Sequence, residues 1–168
     1  MRQSHAPRVI PLERIDNEPV GGKAAQLARL ARLGLRVPEG FATTADAYRA
    51  FVGQKELDER IHAALDGLDV DDVDQLARTG AQIRQWMIET PLPAELESAI
   101  VQSLERMSEG HEIAVAVRSS ALGEDGGEAS FAGQYDTVLN VQGPEQLRDA
   151  IRRCVASDCR CLDTAGTR

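Results

Sequence analysis

The 168-residue sequence predicts a mixed α/β (α+β) fold that is rich in helix and has one small mixed sheet. Long stretches with apolar residues at helical spacing alternate with a few short apolar runs between turn residues. One unbroken apolar run, Ile113 to Val117, indicates a strand covered on both faces. The predicted strands lie near residues 9–12, 40–43, 113–118 and 137–141.

Apolar periodicity and turn residues position the helices. The first helix opens at Gly21-Gly22-Lys23 and stops at Gly34, and Thr43 or Thr44 can cap the second. Residues 53–110 are predicted to be mainly helical, and a last helix starts near Pro144, with an ion pair between Asp149 and Arg153. The apolar stripes of these later helices contain Val73, Leu76, Ala77, Gly80, Ile83 and Met87; Leu96, Ile100, Leu104 and Met107; and Leu147, Ala150, Ile151, Cys154 and Val155.

Composition and charge exclude several classes of function. The net charge of −8 argues against general binding to nucleic acid or to an anionic membrane, although it allows a local positive pocket for one nucleotide. No apolar run is long enough to span a bilayer, and the N-terminus has no signal-peptide core, which predicts a cytoplasmic location. The three cysteines Cys154, Cys159 and Cys161 are interpreted as reduced thiols, because no partner completes a metal site.

Gly21-Gly22-Lys23 is the first candidate phosphate site. Glycines allow close approach of a ligand to the backbone, and a helix start presents unpaired N–H groups to anions. Lys23 adds a positive charge that opposes the helix dipole, which suggests a reason other than helix stability for its presence. The alternative is an ordinary surface lysine after a turn, since the spacing is not that of a P-loop.

Arg118 is the second candidate, because it follows the buried strand directly. Its guanidinium group can bind phosphate oxygens in two places, and Ser119 and Ser120 offer hydroxyl groups beside it. The alternative is a strand-end arginine paired with Glu124 or Asp125.

The loop after Arg118 is about fifteen residues long, which favours a functional role over a plain hairpin turn. It contains Gly126-Gly127, then the Ser130-Phe131-Ala132-Gly133-Gln134 turn, in which backbone N–H groups can approach phosphate. Thr137 brings a hydroxyl group at the start of the next strand. These features predict a flap over a nucleotide phosphate chain.

Two long motifs resemble one known family. GGKAAQLARLARLGLRVPEGFATTADAYRAF and VAVRSSALGEDGGEASFAGQYDTVLNV are similar to the N-terminal ATP-grasp region of phosphoenolpyruvate synthase, pyruvate phosphate dikinase and rifampicin phosphotransferase. The resemblance runs from about Val9 to Ser157, and IRQWMIETPLPAELESAI favours the phosphoenolpyruvate synthase branch.

The resemblance implies specific roles for these residues. Lys23 and Arg118 would act on the ATP phosphates as the catalytic cations, and Ser119, Gly133 and Thr137 would complete the cofactor site under a flexible flap. ATP would phosphorylate a histidine on a separate domain, which passes the phosphoryl group to pyruvate or to the antibiotic, with Mg²⁺ bridging the phosphates. The metal ligands are expected outside this chain.

The resemblance also implies an incomplete enzyme. Residues 1–157 would form the N-terminal part of the ATP-grasp domain, and residues 158–168 a disordered or aberrant tail of the kind that a frameshift produces. The open alternatives are a truncated non-catalytic nucleotide-binding module, an inactive remnant, or a fragment of a rifampicin phosphotransferase. A separately encoded remainder of the enzyme is a further expected partner.

Overall fold

The computed structural model describes residues 8–16, 19–69, 71–120 and 136–157. Within these ranges it confirms a helix-rich mixed α/β fold. The strands are β1 (Val9–Pro11), β2 (Phe41–Thr43), β3 (Ala114–Arg118) and β4 (Thr137–Gln142), and Leu12–Arg14 forms a single 3-10 turn. The helices are α1 (Gly22–Arg32), α2 (Ala45–Val52), α3 (Lys55–Leu65), α4 (Val73–Glu89), α5 (Ala94–Ser108) and α6 (Gly143–Ser157).

The chain divides into two compact units, each assembled from separate stretches of sequence. Unit 1 is formed by Met1–Ala50, Pro93–Ile113 and Ser120–Ser130. Unit 2 is formed by Phe51–Leu92, Ala114–Ser119 and Phe131–Arg168. The chain passes from unit 2 to unit 1 at the peptide bond between Ser119 and Ser120.

The core of unit 1 lies between the first strand pair and α1. Strands β1 and β2 are antiparallel, with Ile10 opposite Ala42. The residues buried in this core are Ile10, Ile15, Val20, Ala24 and Ala28, with Leu12 and Ala42 packed against them. Small alanines on the inner face of α1 let the helix approach the strands closely.

Helix α1 ends as the sequence predicts, at a glycine in the left-handed conformation. Gly34 has φ +79°, and its N–H donates to the Ala31 carbonyl at 3.0 Å while the Leu35 N–H donates to the Leu30 carbonyl at 3.2 Å. This pair of hydrogen bonds is a Schellman motif, which satisfies carbonyls that the helix end leaves open. Leu35 is 56 % exposed because it lies beyond the helix end.

The start of α2 resolves the choice between two threonines. Thr44 is buried, and its Oγ1 accepts a hydrogen bond from the Ala47 N–H at 3.4 Å. Thr44 is therefore the N-cap residue, whereas Thr43 is the last residue of β2.

Unit 2 is built on the β3–β4 hairpin and on α6. The two strands are antiparallel, with Val115 opposite Val141 and Val117 opposite Val138. This register requires a bulge in β4, where Asn140 has φ +56°. The bulge turns Val138 and Val141 to the same face, which strict alternation would not allow for residues three apart. Helix α6 contacts both strands, α4 contacts α6, and α3 contacts α4.

Two expectations about the strands are wrong. In the described residues the four strands pair as two separate antiparallel sheets, not as one mixed sheet. The run from Ile113 to Val117 is not covered on both faces either, because Ala114 and Ala116 are exposed while Val115 and Val117 are partly buried. The physical reason is that, among the helices that the structure describes, α6 alone makes extensive contact with β3, and it covers one face of a two-stranded sheet.

The apolar stripes of the later helices are confirmed for most of their members, but in α4 Val73 is 44 % exposed and Ala77 is exposed too. The buried members are Leu76, Gly80, Ile83 and Met87 in α4, Leu96, Ile100 and Leu104 in α5, and Leu147, Ala150, Ile151 and Cys154 in α6. Asp72 is the N-cap residue of α4, and its carboxylate accepts a hydrogen bond from the Gln75 N–H at 2.9 Å. Met87 is fully buried, as its place in the stripe predicts, and the Arg60 guanidinium group lies 4.4 Å from the centre of the Trp86 ring.

One ion pair differs from the prediction. Asp149 pairs with Arg152, three residues later, and not with Arg153. Both spacings bring side chains together on a helix. Arg152 is the less exposed of the two arginines, and Arg153 points to solvent.

Among the described residues, no helix has both the length and the apolar content needed to cross a membrane. Cys154 is a buried free thiol. The predicted aberrant tail at residues 158–168, together with Cys159 and Cys161, lies outside the described residues, and the domain boundary predicted at residue 157 stays a prediction.

Candidate functional site

The first turn of α1 holds the first candidate residue, Lys23. Gly21 is the N-cap residue, with φ −68° and ψ 162°, and the helix begins at Gly22. Lys23 is the second helical residue and is exposed, whereas Gly21 and Ala24 on either side of it are buried. The buried neighbours fix the turn, and the lysine between them remains accessible to a ligand in solution.

Ser120 caps this turn from a distant part of the sequence. Its Oγ accepts a hydrogen bond from the Ala24 N–H at 3.2 Å, across 96 residues of sequence. The N-cap residue itself has no side chain to do this, because it is Gly21. Ala24 is the third helical residue, whose N–H is the usual target of an N-cap hydroxyl group. The hydrogen bond lies within unit 1.

Gly21 is required here by close approach and not by its backbone angles. A Cβ atom at Gly21 would lie 1.5 Å from the Ser120 carbonyl oxygen and 2.4 Å from its Oγ. Real structures do not contain contacts of that length, so any side chain at Gly21 would push the backbone of Ser120 away. The φ of −68° at Gly21 is accessible to every residue type.

Arg118 and Thr137 form the second group of candidate residues, in unit 2. They are directly opposite each other across the β3–β4 pair and are both exposed. Directly opposite residues project from the same face of a sheet, which is here the face turned away from α6. A guanidinium group and a hydroxyl group are thus presented together beside the ends of the two strands.

The backbone around these two residues is held by the last turns of α6. The Ser119 N–H donates to the Asp136 carbonyl at 3.4 Å, and the Asp136 N–H donates to Ser157 Oγ at 3.2 Å. The Cys154 Sγ lies 3.6 Å from the Val117 carbonyl oxygen and 3.5 Å from that of Asp136. These contacts fix the end of β3 and the start of β4 in one position relative to α6.

Several predicted site features lie outside the described residues. They are Gly133 with the rest of the Ser130–Gln134 turn, Gly126-Gly127, and the alternative partners of Arg118, Glu124 and Asp125. Their predicted roles stay predictions. Of the predicted site residues, the structure brings Arg118, Ser119 and Thr137 together in unit 2 and describes Lys23 in unit 1.

The capping role of Ser120 is the functional feature that the sequence analysis missed. The sequence predicts that Ser120, like Ser119, offers a hydroxyl group near Arg118, whereas its Oγ accepts a backbone hydrogen bond from Ala24. A signal was present in the sequence, since a helix that opens with Gly21 has no capping side chain of its own. That signal identifies the need for a cap and does not identify the residue that provides it.

The described residues present two kinds of group that can interact with phosphate. Lys23 provides a point charge beside backbone N–H groups at a helix start, and Arg118 provides a planar guanidinium group with Thr137 opposite it. No group of three or more acidic, histidine or cysteine side chains that could hold a metal ion occurs among the described residues.

Comparison with known proteins defines the class first. A family model described as "Pyruvate phosphate dikinase, AMP/ATP-binding domain" matches residues 17–160. The match covers Lys23, Arg118, Gly133 and Thr137 and most of the chain. The protein therefore belongs to the family of pyruvate phosphate dikinase AMP/ATP-binding domains.

Individual relatives of the chain indicate a narrower class within this family, because they are phosphoenolpyruvate synthases. The chain is 52 % identical over 157 residues to the phosphoenolpyruvate synthase of Pseudomonas aeruginosa, covering 89 % of this chain and 20 % of that protein. It is 50 % identical over 147 residues to that of Escherichia coli, covering 84 % and 19 %. For the Neisseria meningitidis enzyme the identity is 49 % over 153 residues, covering 87 % and 19 %. The chain thus spans about a fifth of the length of these relatives.

Proposed function

We propose that this chain binds ATP and is the nucleotide-binding portion of a phosphoenolpyruvate-synthase-like phosphotransferase. The observation that carries the proposal is the match of an AMP/ATP-binding domain family over residues 17–160, which contains every predicted site residue. The names of the relatives favour phosphoenolpyruvate synthase over a rifampicin phosphotransferase.

In this proposal Lys23 binds ATP phosphate oxygens from the start of α1. The lysine is exposed at the second helical position, where its charge is unfavourable for the helix itself. When a polyphosphate is bound, the lysine at this position becomes favourable, because the anion interacts favourably with both the ammonium group and the backbone N–H groups of the first turn. The position of Lys23 is thus better explained by an anionic ligand than by helix stability.

Arg118 binds phosphate from the end of β3 in the same proposal. Its exposure, the hydroxyl group of Thr137 opposite it and the fixed backbone of Ser119 support this role. Gly133 is assigned backbone contacts to phosphate on the strength of the family resemblance. The planar guanidinium group loses less side-chain freedom per hydrogen bond formed than a lysine ammonium group does, which favours affinity.

The proposed reaction is transfer of a phosphoryl group from ATP to a histidine on another domain, and from there to pyruvate. Transfer of this kind depends mainly on positioning and on charge stabilisation of the phosphoryl oxygens, which Lys23 and Arg118 can provide. Mg²⁺ would supply further charge neutralisation when bound. Since the chain spans a fifth of its relatives, the phosphohistidine and the pyruvate site are assigned to a remainder of the enzyme, and the cytoplasmic location stays a prediction.

The test is an equilibrium titration of the 168-residue chain with ATP and, separately, with adenosine. Arg118→Ala is expected to weaken ATP binding about 10- to 100-fold, the effect of losing a hydrogen-bonded charge, and to leave adenosine binding unchanged. Arg153→Ala is the matched control, since Arg153 is an exposed arginine on α6 in the same unit. Equal ATP affinity in the two variants would contradict the assigned role of Arg118, and no ATP binding by the unaltered chain would contradict the proposed function.

A further inference from the structure

We propose that Ser120 is a positioning residue that holds the Lys23 turn in its phosphate-binding arrangement, an inference that rests on the proposed function. In this role Ser120 acts through the backbone of α1 and makes no contact with the nucleotide. Neither the family match nor the resemblance of the sequence assigns this role to Ser120.

The first argument is the hydrogen bond to Ala24. The first turn of a helix leaves N–H groups without partners inside the helix, and a buried N–H without a partner is costly. Ala24 is only 6 % exposed, so water cannot readily replace Ser120 Oγ as the acceptor of its N–H. Gly21, the N-cap residue, offers no side chain. Ser120 therefore supplies the cap that keeps this turn helical.

The second argument is the close packing of Ser120 on Gly21. The Ser120 carbonyl oxygen occupies the space where any larger residue at Gly21 would place its Cβ atom. Ser120 thus contacts the turn at two points, through the hydrogen bond to Ala24 and through packing on Gly21. Lys23 lies between these two points in the sequence and is exposed. Its backbone is fixed by these contacts, and its side chain lies at the exposed surface.

The contacts from Ser120 constrain the backbone of Lys23, and this constraint affects the affinity for a ligand. Fixing the backbone of Lys23 before the ligand arrives removes an ordering cost that binding would otherwise include. The benefit applies to ligands that contact the turn through phosphate. A ligand without phosphate gains nothing from it. Loss of the cap should therefore reduce affinity for ATP more than affinity for adenosine.

The experiment compares Ser120→Ala and Ser120→Thr with the control Ser98→Ala, which removes an exposed hydroxyl group from α5 in the same unit. Two properties are measured on the 168-residue chain. The first is the hydrogen-exchange rate of the Ala24 amide by NMR without nucleotide. The second is the affinity for ATP and for adenosine by titration. Threonine retains the hydroxyl group and serves as the conservative rescue.

The expected result for Ser120→Ala is roughly fivefold faster exchange at Ala24, the effect of losing one helix cap, and a comparable loss of ATP affinity without loss of adenosine affinity. Ser120→Thr should restore both, and Ser98→Ala should change neither. Unchanged exchange at Ala24 would overturn the positioning role, and so would equal losses for ATP and adenosine. If the unaltered chain bound no ATP, the proposed function and the nucleotide part of this inference would fall together, while the exchange rates would still decide whether Ser120 holds the turn.

Discussion

At the scale of single residues, Gly21 and Ser120 illustrate how a contact remote in sequence shapes a local turn. Gly21 lies at the start of α1 with ordinary backbone angles, so its own conformation does not require glycine. The requirement comes from Ser120, whose carbonyl oxygen takes the place of a Cβ atom. A rule based on local turn geometry would miss it.

Gly21→Ala is expected to lower the free energy of unfolding by about 1–3 kcal/mol, because the added methyl group must displace the backbone of Ser120. Chemical denaturation measures the effect. The control is Gly67→Ala, since a Cβ atom at Gly67 would meet nothing within 4 Å. Alanine at Gly67 should be neutral or slightly stabilising. Equal stability of the two variants would show that the Gly21 contact is not required.

At the scale of secondary-structure elements, α6 is the element that fixes the candidate binding strands. Its inner face covers one side of the β3–β4 pair, and its final turn supplies Cys154 and Ser157 to the strand ends. Ser157 is almost fully buried; it accepts from the Asp136 N–H and donates to the Cys154 carbonyl at 2.7 Å. The position of Thr137, the next residue after Asp136, depends on these contacts.

Ser157→Ala is expected to cost about 1–3 kcal/mol of unfolding free energy, because the Asp136 N–H loses this acceptor while the site remains buried. Urea denaturation followed by the fluorescence of Trp86, the only tryptophan, reports on unit 2 directly. Ser98→Ala again serves as control, with a change expected below about 0.5 kcal/mol. A Ser157→Ala midpoint equal to that of the control would mean that this hydrogen bond does not hold the strand end.

The elements themselves could largely be predicted from the sequence, because each depends on local signals. The Gly34 stop of α1 and the buried stripes of α4, α5 and α6 follow from periodicity and turn chemistry. The prediction that both faces of the run from Ile113 to Val117 are covered was wrong, since Ala114 and Ala116 are exposed and an apolar run alone does not establish how many faces are covered. The partner of Asp149 was not predicted either, since spacings of three and four residues both allow a pair on a helix.

Less of the candidate site could be predicted, because its parts meet through contacts that are remote in sequence. The pairing of Arg118 with Thr137 follows from hairpin register, which a bulge at Asn140 changes. The hydrogen bond between Ser120 and Ala24 joins residues 96 positions apart, and its only local sign in the sequence is that Gly21 has no side chain to cap the helix. The sequence shows which residue types can bind phosphate, whereas it does not show the contacts that hold those residues in position.

At the scale of the whole molecule, the candidate cations Lys23 and Arg118 belong to a chain whose net charge is −8. General attraction of anions is therefore absent, and nucleotide binding must depend on specific local groups. The chain also spans only about a fifth of its phosphoenolpyruvate synthase relatives. Binding of ATP is accordingly the property to test on these 168 residues.

The most direct test uses the two lysines of the chain as a matched pair. Lys23→Met and Lys55→Met remove the same charge, but Lys55 lies on the exposed surface of α3, 4.0 Å from Glu59. Titration with ATP should show about 10- to 100-fold weaker binding for Lys23→Met and unchanged binding for Lys55→Met. Equal affinities in the two variants would contradict the central claim that the start of α1 binds nucleotide phosphate.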